Sequence, residues 1–127
     1  MSQVLSIVMP FDSVRDIESA LAATTWLNVE QLRTHRLPPL YSSGVRYERE
    51  SCLAPNVPGA CERFLTLRQL ISERVGDCDD LACARAAELI RAGERARAYP
   101  VRSPVGFHIL VRRGDGSIED PSKILGM

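Results

Sequence analysis

Gly76-Asp77-Cys78-Asp79-Asp80 sets one thiol among three carboxylates, immediately ahead of a small, apolar segment. From Cys78 to Arg91 the residues Leu81, Ala82, Ala84, Ala86, Ala87, Leu89 and Ile90 predict a helix that is apolar around most of its circumference, with Gly93 as its C-terminal signal. Cys78 then begins that helix, where backbone amides without intrahelical partners carry partial positive charge and favour thiolate over thiol. Gly76 would permit an unusual backbone angle and let a substrate chain come close, which a side chain there would block. The aspartates act in the opposite sense. Asp79 and Asp80 suit a helix N-terminus, but as anions beside the thiol they disfavour its ionised form, so a cationic partner is required. Only His35 and His108 are available. His108 lies in the alternating segment Phe107 to Arg113, a rigid mount for a base, and Asp120 follows the Gly114-Asp115-Gly116 turn. Counting back from the turn brings His108 and Asp120 to neighbouring hairpin positions, where the carboxylate can orient the ring. In chain order these are a nucleophile, a base and an orienting group.

The remaining chemistry-bearing residues have plainer readings. Cys52, Cys61 and Cys83 read as small core residues. No doubled Cys-x-x-Cys is present, and with two histidines a structural zinc site is unsupported. Capping and an arginine partner explain Asp77, Asp79 and Asp80 at least as well as a bound cation does, so neither a metal nor a cofactor is expected. His35, near a helix end, is expected to face solvent or the helix dipole. Trp26 and Leu27 read as core, and Arg95, Arg97, Arg102, Arg112 and Arg113 as a solvated face.

The elements that must hold these residues follow from periodicity. Gln3 to Met9 predicts a first strand, and Val14 to Arg36 a long amphipathic helix capped by Asp12 or Ser13 and stopped by Leu37-Pro38-Pro39-Leu40. Gly44 to Glu50 alternates as a strand, and Cys52 to Ala60 is an irregular loop. Thr66 caps a short helix ending at Arg74, which Gly76 breaks. Arg95 to Val101, Phe107 to Arg113 and Ser117 to Asp120 form an antiparallel meander. The expected class is α+β, a helix packed on a small sheet in one domain over residues 1–127, with a scaffold half to about residue 60 and a chemical half after it. Sixteen basic residues, fifteen of them arginine, balance sixteen acidic ones, so no net field collects nucleic acid or anionic lipid. No run of 18 apolar residues or export signal is seen, which places the chain, by expectation, in the reducing cytoplasm and off the membrane.

The block Gly76-Asp77-Cys78-Asp79-Asp80-Leu81-Ala82, then His108 on a strand, then Gly116 leading to Asp120-Pro121-Ser122, resembles the transglutaminase-like members of the papain-like cysteine enzymes. The resemblance spans roughly Cys61 to Ser122 and is nearest to short transglutaminase-like proteins of bacteria and their phages, some encoded among virion morphogenesis genes. It implies a papain-like/transglutaminase-like core in which Cys78 caps a central helix on an antiparallel sheet and forms a catalytic triad with His108 and Asp120. It also implies acyl transfer on a peptide or protein amide through a thioester, with no cofactor. Hydrolysis is expected over crosslinking, because 127 residues leave little material for a second, amine-selecting tunnel. The family often carries tryptophan beside its histidine, where this chain has Phe107 and Ile109. The Cys78 amide is one oxyanion donor; Tyr47 or Gln69 is the candidate for the other. The alternative reading is a non-catalytic assembly protein of a phage particle that keeps the fold and binds phage structural proteins in the bacterial host cytoplasm or in the virion.

Overall fold

The computed structural model describes residues 13–49, 64–104 and 106–127. Within them the order is α1 (Val14–Thr34), a 3-10 turn (Leu40–Ser42), β1 (Arg46–Tyr47), α2 (Leu67–Glu73), β2 (Val75–Gly76), α3 (Cys78–Arg91), β3 (Arg97–Ser103), β4 (Gly106–Arg112), β5 (Ile118–Glu119) and α4 (Pro121–Ile124). The architecture is α+β, with a three-stranded antiparallel sheet β3-β4-β5 and a two-stranded parallel sheet β1-β2. The expected strand Gln3 to Met9, the Cys52 to Ala60 loop, and Cys52 and Cys61 lie outside the described residues.

α3 occupies the centre because its side chains are small. Leu81, Ala82, Cys83, Ala84, Ala86 and Ala87 are fully buried, which lets neighbours approach from both sides. One side meets Leu21 of α1 and Ile109 and Val111 of β4; the other meets Leu40, Val45, Leu65, Leu67 and Leu70. α1 packs with a stripe that is itself small or polar: Ala20, Leu21, Thr24, Thr25 and Asn28. The hydroxyls of Thr24 and Thr25 donate back to the carbonyls of Ala20 and Leu21, which removes the cost of burying them. This choice of stripe turns Trp26 and Leu27 outward, 62% and 51% exposed, where the sequence pattern expects core. Close approach of α3 needs the small face of α1, so the large residues take the solvent side.

Three further elements differ from expectation. The strand expected over Gly44 to Glu50 is paired only at Arg46 and Tyr47, because its parallel partner has two residues, opposite Val75 and Gly76, before α3 begins. Arg74 ends α2 in the left-handed region (φ 66°), a conformation uncommon for arginine, and so creates that partner strand. Gly76 does not use the unusual backbone angle that a glycine permits; its φ is not positive. Its reason is space: a Cβ there would stand 2.3 Å from Leu70 Cδ2 and 3.2 Å from Asp80 Cβ. α4 is also new, capped by Asp120 with Pro121 at its first position. The first strand of the meander, β3, begins at Arg97 instead of Arg95, since Glu94 is still tied to the end of α3 through its N–H to Leu89 O.

An ionic network fastens the sheet to α3. Glu119 of β5 accepts from Arg85 Nε at 2.6 Å, from Arg113 Nη1 at 3.5 Å and from the Tyr41 hydroxyl, and Arg85 stacks over the Tyr41 ring at 4.9 Å. Burial alone would raise the pKa of Glu119, but hydrogen bonds from Arg85 and Tyr41 and the charges of Arg85 and Arg113 outweigh it and hold the carboxyl below its ordinary range. Arg113 is also paired to Glu94 at 3.1 Å, while Arg112 and Arg102 stack on Tyr99 and Phe107. The expected solvated arginine face is thus partly pinned.

Two outcomes follow for stability. Gly76→Ala should cost about 1–3 kcal/mol in urea unfolding, because the new Cβ forces the fully buried Leu70 side chain to shift and crowds Asp80 Cβ; an unchanged midpoint would refute the packing argument. Glu119→Gln should cost about 1–3 kcal/mol at neutral pH. The folded chain keeps Glu119 ionised to lower pH than the unfolded chain, so its contribution is complete above the ordinary glutamate range and is lost as pH falls through and below it. The variant should therefore lose less stability on acidification than the wild type, and equal acid slopes would count against the network.

Candidate active site

The first turn of α3 is fixed from three directions. Asp77 is the N-cap; its Oδ1 accepts from Asp80 N at 3.5 Å, and Asp80 Oδ2 accepts from Asp77 N at 3.2 Å. Asp80 Oδ1 also accepts from Leu65 N at 2.7 Å, tying the helix to the segment that leads into α2. Asp80 is 3% exposed, so these bonds are made in a dry environment where they are worth most. Cys78 takes the first helical position, half-buried, and packs against the cluster formed by α1, α3 and β4.

Tyr47 arrives at this turn by the parallel pairing. It stands opposite Gly76, and Glu48 N donates to Gly76 O at 2.9 Å. Burial pushes the Tyr47 phenol up, and negative charge at Cys78 and Asp77 adds to the effect, so the phenol lies within electrostatic reach of the thiol and stays a hydrogen-bond donor at neutral pH. Gln69 has a different place: its Oε1 accepts from Thr66 N at 2.8 Å and from Thr66 Oγ1 at 3.2 Å, capping α2. Asn28 and Gln31 of α1 take the next two amides, Leu67 N at 2.7 Å and Arg68 N at 2.9 Å.

His108 and Asp120 form the second group. His108 Nε2 and Asp120 Oδ2 are 2.9 Å apart, both side chains about one-fifth exposed. The register explains the meeting. Val111 pairs with Glu119, so Asp120 falls beside Leu110, one diagonal step from His108. A carboxylate only accepts, so Nε2 carries the proton and the neutral ring presents Nδ1 as an acceptor. Ile109, next to His108, packs in the same cluster as Cys78, while His108 alternates away from that core and stays partly exposed. The other Asp120 oxygen accepts from Lys123 N at 3.3 Å and caps α4. One carboxylate therefore both orients the ring and starts a helix.

α4 joins the two groups. Asp120 is at its start, and Leu125, just past its end, accepts from Tyr47 N at 2.9 Å. At about 1.5 Å per residue, the rise between them is roughly 7–8 Å, so the His108–Asp120 pair and the Tyr47–Cys78 turn flank a single short helix. Cys83, one turn and a half along α3, is of another kind: burial pushes its thiol up to about 12, and its Sγ lies 3.4 Å from Leu21 O. His35 ends α1 exposed, with Nδ1 2.9 Å from Thr34 Oγ1, outside the site. The Asp120-Pro121-Ser122 signal for α4, an N-cap followed by proline, was present in the sequence; the parallel β1-β2 contact that brings Tyr47 to the thiol had no such signal.

No family model, curated protein or solved structure matches this chain.

If Asp120 sets the ring as described, long-range proton–nitrogen NMR should find neutral His108 as the Nε2–H tautomer. Asp120→Ala should mix the tautomers and cost about 1 kcal/mol from the lost cap; Asp120→Asn, itself a good N-cap, should restore the stability. A wild-type ring protonated at Nδ1 would overturn the assignment.

Proposed function

We propose that the chain is a cysteine-dependent acyl-transfer enzyme of the transglutaminase-like kind, acting on peptide or protein amides. The observation that carries this reading is the His108 Nε2 to Asp120 Oδ2 hydrogen bond, made on the sheet that packs against the Cys78-bearing helix. In the proposed reaction Nδ1 of His108 takes the Cys78 proton as sulfur attacks the amide carbon. The Cys78 amide and the Tyr47 hydroxyl stabilise the developing oxyanion. The imidazolium then protonates the departing amine, the carbon–nitrogen bond breaks and a thioester remains. Water, deprotonated by the same imidazole, resolves the thioester to an acid and returns the thiol. The finer assignments belong to the same proposal: a papain-like core, and hydrolysis in preference to crosslinking.

Iodoacetamide labelling read by mass spectrometry over roughly pH 5 to 9, on wild type and on His108→Ala, tests this directly. Cys78 should label selectively near neutral pH and lose that selectivity in the variant. Cys83 should stay unlabelled throughout in the folded protein, its thiol being held up to about 12 by burial. Cys78 labelling no faster than the other thiols, or behaving identically in the variant, would sink the enzyme reading and favour a non-catalytic assembly protein.

A further inference from the structure

Capping accounts for two of the three carboxylates around Cys78 and leaves the third unexplained. Asp77 and Asp80 bond each other's backbone amides, and Asp80 also holds Leu65 N. Asp79, at the second position of α3, is 5% exposed, and among the described residues neither of its carboxylate oxygens has a hydrogen-bond partner. It takes part in no ion pair among the described residues, so the arginine partner expected from the sequence is not what holds it. Yet it is not aimed at random: Asp77, Asp79 and Asp80 each bring a carboxylate oxygen to a common point, all within 4.8 Å of one another.

Such an arrangement is costly by itself. An ionised carboxylate taken out of water needs a counter-charge, and two more carboxylates at the same point add repulsion. The half-charge at the start of α3 offsets part of this, but it is shared among the three acids. A cation at their meeting point removes both costs together. The donors are all oxygen and all anionic, the set that selects hard cations over zinc or copper. Three carboxylates on adjacent helical positions do not supply the regular octahedron that Mg2+ demands, whereas Ca2+ accepts irregular shells completed by water or backbone carbonyls.

We propose that Asp77, Asp79 and Asp80 form a divalent-cation site at the start of α3 that takes Ca2+ in preference to Mg2+. The site does not depend on the acyl-transfer reading. Its presence beside Cys78 would place a positive charge where the aspartates alone disfavour a thiolate.

Calorimetric titration of CaCl2 into chelator-treated protein, with thermal melts in Ca2+, Mg2+ and Zn2+, provides the test. One Ca2+ should bind per chain and raise the melting temperature in a saturable way, with a smaller rise in Mg2+. Asp79→Asn should weaken Ca2+ binding by about tenfold or more, while melting no lower than the cation-free wild type because it removes an uncompensated charge. If Asp79→Asn does not fold, Asp77→Asn, which keeps a capping oxygen, should weaken binding likewise. No heat and no melting shift at about 5 mM Ca2+, a Zn2+ response alone, or undiminished Ca2+ affinity in the variant that folds would overturn the site.

Discussion

A buried helix must find partners for the polar groups of its own first turn, and here that requirement organises the neighbourhood of Cys78. α3 is packed on both sides, so Asp79 and Asp80 of its first turn are buried while the N-cap Asp77 stays half-buried. Asp80 meets the requirement for two segments at once by holding Asp77 N and Leu65 N. Gly76 passes beneath Leu70 and Asp80 at a spacing that admits no side chain. The position of the thiol is a by-product of this closure. Any change that loosens the turn also displaces the sulfur, β2 and, through β2, Tyr47.

A second constraint is the economy with which polar side chains serve two elements each. Asp120 orients His108 and caps α4; Glu119 binds Arg85 of α3 and Arg113 of the sheet; Glu88 accepts both from Arg85 and from Leu40 N. These bonds join residues far apart in sequence, and they surround a core whose α3 contribution is mostly alanine. Alanine brings little apolar area per residue, roughly 25 cal/mol for each Å2 buried, so close approach and shared polar contacts carry more of the positioning than they would in a leucine-rich core. The result is that both ends of α4 are held, Asp120 at its start and Leu125 just past its end.

Local electrostatics matter more here than net charge. The chain is neutral as a whole, yet three carboxylates gather at the start of α3, while Arg85 and Arg113 pair with Glu119 and Glu94 and Arg112 and Arg102 stack on aromatic rings. The proposed imidazole partner and the proposed cation would both answer negative charge at this turn, by different chemistry.

Much of this was legible in the residues. The bounds of α2 and α3 follow from Thr66 and Asp77 as caps and from unbroken helical spacing between them, and α1 from Ser13 and the Leu37-Pro38-Pro39 stop, because capping and proline geometry act over three or four residues. The meeting of His108 with Asp120 was also countable, since a tight turn fixes register on both sides of itself. What tertiary structure alone decided is of another kind. Trp26 faces solvent because α3 needs the small face of α1; Gly76 is required by Leu70, six residues earlier, and by Asp80, not by its own backbone angle. Tyr47 comes within electrostatic reach of Cys78 through a parallel pairing with residues almost thirty positions away, made possible by a left-handed arginine that no pattern announces. The buried, unpartnered state of Asp79 appears only once both sides of α3 are covered. Sequence determines what depends on neighbours along the chain; burial and long-range pairing depend on which surfaces meet, and those are set by the packing of the whole.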